Sequence, residues 1–70
     1  MNDEKTSKIK NVLGAAHRQG EKFLWIREIA RRANISKSGV SRYVKELEEQ
    51  GTVKTKTNLY GVKEVRLADI

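Results

Sequence analysis

Apolar positions recur along this chain with two different periods, and the change of period divides it into a helical part and a stranded part. Ile9, Val12, Leu13 and Ala16 keep the i, i+3, i+4, i+7 spacing of one helical face. This predicts a first helix of about four turns, capped near Asp3 or Thr6 and closed at Gln19 and Gly20. Ile26, Ile29, Ala30 and Ala33 repeat the spacing, leaving Arg27, Glu28, Arg31 and Arg32 outward, which predicts a shorter second helix. Asn34 stands where the chain must reverse, and Asn visits the left-handed backbone region at modest cost. Ser36 then supplies an N-cap whose hydroxyl can accept from the amide of Ser38 or Gly39. The third helix runs from there to about Gln50 and is ended by Gly51. Its apolar face is Val40, Tyr43, Val44 and Leu47, with Lys37, Ser38, Ser41, Arg42 and Lys45 on the opposite side.

Two segments break the helical period. Lys22 to Trp25 is too short for a helix and rich in strand formers, with Leu24 on one face and Phe23 and Trp25 on the other. After Gly51 the period becomes two. Residues 52–67 read as a hairpin with Val53, Val65 and Leu67 facing the core and Lys54, Lys56 and Arg66 facing out. The segment Thr57 to Gly61 supplies the turn, with Asn58 and Gly61 able to adopt positive φ, and Tyr60, Lys56 and Lys63 cluster at the tip. The order helix, strand, helix, helix, strand, strand predicts an α+β fold. Three helices pack with a small antiparallel sheet in a single domain spanning residues 1–70.

Composition narrows the chemistry. Fifteen Lys and Arg against nine Asp and Glu give a formal charge of +6, an electrostatic footprint suited to a polyanion such as nucleic acid. With no cysteine and one histidine, disulfide staples, zinc fingers and thiol redox chemistry are excluded. His17 falls in the last turn of the first helix, where a positive side chain complements the carbonyl end, and it carries no catalytic expectation. No nucleophile stands beside a base, and there is no metal-ligand cluster or glycine-rich phosphate loop. An enzyme is therefore not expected, nor is a cofactor. The N-terminus lacks the apolar segment of a signal peptide and no run reaches membrane-spanning length, so a cytoplasmic protein is expected.

Charge order along the third helix adds direction. Lys37 and Arg42 occupy its first half while Glu46, Glu48 and Glu49 crowd its last turns, the reverse of what the helix dipole prefers. Such an order suits a helix whose N-terminal half meets an anion. A solvated face laced by Arg42 with Glu46 or Lys45 with Glu49 would explain the same residues. Two short helices around a tight turn from Ile26 to Gly51 form a helix-turn-helix, and a basic hairpin beside it reads as a wing.

The stretch EIARRANISKSGVSRYVKELEEQGTV, with its Leu47, Gly51 and Val53 exit, resembles the winged helix-turn-helix transcription regulators of the MarR-like and ArsR-like bacterial and archaeal type. The correspondence runs from Phe23 to Leu67. By this resemblance Ser38, Gly39, Ser41, Arg42 and Lys45 enter or border a major groove, while Lys54, Lys56 and Lys63 lie along phosphates or reach a minor groove; Lys37, on the same polar face at the basic start of the helix, is counted with the DNA-binding residues. Gly39 would let the backbone approach the duplex. Two positions depart from the family pattern. Asn34 replaces a more usual Gly, and Trp25 occupies the place of a Ser or Thr cap. Larger relatives carry extra helices for dimerisation and a sensing pocket; none is evident here, so no small-molecule effector is expected.

Sequence-specific double-stranded DNA binding by a small transcription regulator is the leading reading, with Arg42 as the guanine-contacting residue. A homodimer contact through Phe23, Trp25 or the N-terminal helix would give it a two-fold site. A winged-helix module for structured RNA or for a protein partner remains the alternative.

Overall fold

The computed structural model describes residues 3–68, and its elements follow the predicted order. Helix α1 spans Asp3–Arg18, strand β1 Leu24–Trp25, helix α2 Ile26–Ala33 and helix α3 Lys37–Glu49; strands β2, Val53–Thr57, and β3, Lys63–Leu67, complete the chain. Thr6 thus lies inside the first turn of α1 and not ahead of it, and the Asp3 side chain falls outside the described part.

All three helices end in the same way. A residue in the left-handed region follows each helix, Gly20 at φ 89°, Asn34 at 57° and Gly51 at 78°. The next amide then reaches back to a carbonyl five residues earlier: Glu21 to Ala16 at 2.9 Å, Ile35 to Ala30 at 3.1 Å and Thr52 to Leu47 at 2.9 Å. These bonds satisfy carbonyls that the helix leaves unpaired. Asn34 therefore performs the turn predicted for it. Trp25, the N-cap of α2, makes no side-chain capping bond, as its indole demands.

The sheet is antiparallel with order β1-β3-β2, so the last strand is central. Leu24 faces Val65 and Val65 faces Thr55, while Val53 faces Leu67. The inner sheet face closes on the helices over Ile9, Leu13, Ala16, Leu24, Ile29, Ala30, Val40, Val44, Leu47, Val53 and Val65. Burying each large aliphatic among these stabilises the fold by about 1.5–3 kcal/mol. Val12, Ile26, Tyr43 and Leu67, also expected inside, are half-buried and line the margin of this core.

Two expectations need correction. Strand β1 is two residues long instead of the four from Lys22, because it pairs with β3 only at Val65 and Glu64. Asn58 does not adopt positive φ. Its side chain makes the turn instead: Asn58 Oδ1 accepts from the amides of Tyr60 at 2.8 Å and Val62 at 3.0 Å.

Candidate nucleic-acid interface

Helix α3 owes its position to its apolar stripe. Val40, Val44 and Leu47 are sealed in the core, which turns Lys37, Ser38, Ser41, Arg42 and Lys45 to solvent, all five exposed. The Gly39 amide donates to Ser36 Oγ at 3.1 Å, fixing where the helix begins, and Ser36 Oγ lies 3.4 Å from Ser38 Oγ. No acidic residue occupies the first turn. The dipole's positive end is thus presented together with Lys37.

Among the described residues, no ion pair involves Arg42 or Lys45. The pairs Arg42 with Glu46 and Lys45 with Glu49, which would have made this a merely solvated face, do not form. Glu48 is instead turned to the hairpin, where its carboxylate accepts from the Thr55 hydroxyl. The acidic end of α3 is thereby anchored to β2, leaving the basic end unneutralised.

Gly39 has a packing reason that the sequence did not suggest. A Cβ there would come within 3.0 Å of Ser36 Oγ and 3.1 Å of Ile35 Cγ2, so the missing side chain leaves room for the cap itself. The residue is half-buried, between the solvent-facing row and the core.

The hairpin lysines are exposed but do not share a face. Lys54 and Lys56 lie with Arg66 on the outer face of the sheet, where Lys54 pairs with Arg66 and Lys56 with Glu64. Lys63 pairs with Thr57 and so belongs to the face that carries Val53 and Thr55. Cations therefore flank both sides of the hairpin.

An arginine network on α2 was missed in part. Arg32 grips Glu21 with two bonds of 2.9 and 3.0 Å and donates to Glu28 at 2.9 Å, and Arg31 also donates to Glu28. The bonds from Arg31 and then Arg32 hold the Glu28 carboxyl down at about 2; the Arg32 bond likewise lowers Glu21. The spacing of Glu28 and Arg32 at i, i+4 was readable in the sequence. Glu21, eleven residues from Arg32, carried no such signal. These two arginines are internally compensated and add little to any anion-binding surface.

Comparison with known proteins bears on what this surface is for. The family model described as the MarR family matches residues 10–58, most of the chain and all of the helix-turn-helix. The chain belongs to the MarR family. A crystal structure of the transcriptional regulator SlyA has the same fold, with a TM-score of 0.67 and 17% identity over 90% of this chain. That match covers 42% of the SlyA chain, so the present chain spans less than half its length. The search of curated protein sequences returned no match.

One cavity of about 140 Å³ lies between α1 and the sheet, lined in part by Leu13, Ala16, Phe23 and Leu67. It is smaller than the roughly 300–1,000 Å³ of typical small-molecule sites, whereas an open groove of about 710 Å³ runs past Lys22, Phe23, Glu48, Lys54 and Arg66. No helix among the described residues is long and apolar enough to cross a membrane.

Proposed function

We propose that this MarR-family chain, acting as one domain over residues 1–70, binds double-stranded DNA sequence-specifically as a small cytoplasmic transcription regulator. The N-terminal half of α3 enters the major groove and the β2–β3 hairpin serves as the wing. The observation carrying this reading is the solvent face of α3, where Arg42 and Lys45 have no ion-pair partner among the described residues while every charge on α2 near them except Arg27 is paired. Unpaired, exposed cations on a rigid helix suit phosphate and base-edge contact. Arg42, with its planar fork, is the residue for bidentate guanine contact. Lys37, Ser38, Ser41 and Lys45 position the helix, and Lys54, Lys56 and Lys63 neutralise flanking phosphates. Gly39 contributes at most its backbone.

One domain of this size reads only a few base pairs, so two copies on a two-fold site are proposed, joined through Phe23, Trp25 or α1. Phe23 and Trp25 are 40% and 41% exposed on one edge of the sheet, which leaves apolar area for such a contact. No effector is included in the reading.

Selection from random duplexes tests it, with a palindrome as the expected product. Enrichment of structured RNA over duplex would overturn the reading. Arg42→Ala is expected to flatten sequence preference, while Lys56→Ala weakens all duplexes alike. If about five phosphates are neutralised, log affinity should fall against log salt with a slope of about −4 to −5. Unchanged binding in both variants removes the proposed surface.

A further inference from the structure

The most exposed apolar residues of the described chain sit together at the end of the hairpin. Leu59 is 100% and Tyr60 89% exposed. Neither is left there by a loose loop. The Gly61 amide donates to the Asn58 carbonyl at 3.0 Å, and the Asn58 amide donates to the Val62 carbonyl at 3.0 Å. Asn58 Oδ1 accepts from Tyr60 and Val62 as described above, and Gly61 takes φ 78°. Four bonds across five residues build a three-residue hairpin loop of the type that pairs a tight turn with a left-handed glycine. The turn therefore holds Leu59 and Tyr60 side by side, pointing away from the rest of the fold.

The surroundings select the occupant. From Thr55 to Lys63 the chain carries Lys56 and Lys63 and no acidic residue. Because Lys56 and Lys63 lie on opposite faces of the hairpin, the apolar tip has a cation on either side. Two phosphate backbones about a hairpin's width apart, with sugar walls and stacked base steps between which an apolar side chain can insert, is what the minor groove of a duplex offers.

We propose that Leu59 and Tyr60 form a preformed apolar wedge that enters the minor groove beside the α3 site, with Lys56 and Lys63 on the bordering phosphates. This rests on the duplex-binding reading above. An apolar wedge opens base steps that unstack easily, so the wedge confers a preference for pyrimidine–purine steps at a position no base-edge donor reads. Because the turn is already fixed, little ordering opposes insertion.

The test compares wild type with the double variant Leu59→Ala/Tyr60→Ala on the duplex recovered by selection. Both side chains are exposed, so thermal unfolding should be unchanged in the variant and serves as its control. Affinity is expected to drop on the order of tenfold with the salt slope unaltered, since no charge is removed. End-labelled duplexes should report a smaller bend by energy transfer, and the preference for a flexible step should vanish. If wild type binds no duplex, the functional reading itself fails. If wild type binds and the variant matches it in affinity, bend and step preference, the wedge is overturned while the reading stands. Loss of self-association in the variant with DNA binding intact would assign the tip to a second copy and likewise overturn the wedge.

Discussion

Ser36 and Asn34 bracket the turn that aims α3, and each can be tested alone. The Ser36 cap accepts one amide at 3.1 Å, an interaction that stabilises a helix by about 1 kcal/mol. Ser36→Ala is expected to lower the melting temperature by about 4–8 °C in a domain of this size, and Ser36→Asp, a comparable cap, to retain most of it. Asn34 holds φ 57°. Asn34→Ala should cost about 1 kcal/mol there, whereas Asn34→Gly should be neutral or stabilising. A loss of stability with Gly would mean that the Asn side chain, and not its backbone tolerance, is what matters. Arg42 is different in kind, since it is exposed and unpaired, and its removal should be read in DNA preference and not in unfolding.

At the scale of elements, the α2 network ties its helix to the loop after α1 through Glu21. Both carboxyls titrate lower in the folded chain than the ordinary value of about 4.3, Glu28 at about 2. The folded state thus binds fewer protons than the unfolded state through this range. Their contribution to stability is complete above about pH 4.3 and is lost as pH falls toward 2. Thermal melts across that window should show Glu28→Gln with a shallower acid dependence than wild type; an identical dependence would show that the network adds nothing. The helices were legible because their apolar stripes carry the period directly, down to the αL turn at Asn34 and the Ser36 cap. The α3 face was legible for the same reason, since three buried positions, with half-buried Tyr43 beside them, determine where the rest must point. The hairpin was less so. Alternation assigns faces within one strand, but the pairing register that separates Lys63 from Lys56 depends on a turn whose geometry comes from the Asn58 side chain. Contacts between distant positions, Glu48 with Thr55 and Glu21 with Arg32, arise only once the elements are packed.

For the whole molecule, charge is distributed unevenly. The basic end of α3 and both hairpin flanks present cations, while the α2 arginines are paired and Glu48 at the end of α3 is bonded to Thr55 of the sheet. Association with DNA is therefore expected to be orientation-selective and fast at low salt, an effect measurable as a steep fall of on-rate with ionic strength. The sheet order has a separate consequence. Since β3 lies between β1 and β2, neither outer strand has a neighbour until β3 arrives, and Val65 seals the core from its centre. A fragment ending at Gly61 should accordingly lack a cooperative melt and be degraded rapidly by protease. During synthesis the same order acts as a checkpoint: the helices can form and pack on one another as they emerge, but the sheet side of the core stays open until residues 63–67 are free of the ribosome, so a nascent chain that stalls at the hairpin tip leaves that apolar face to chaperones.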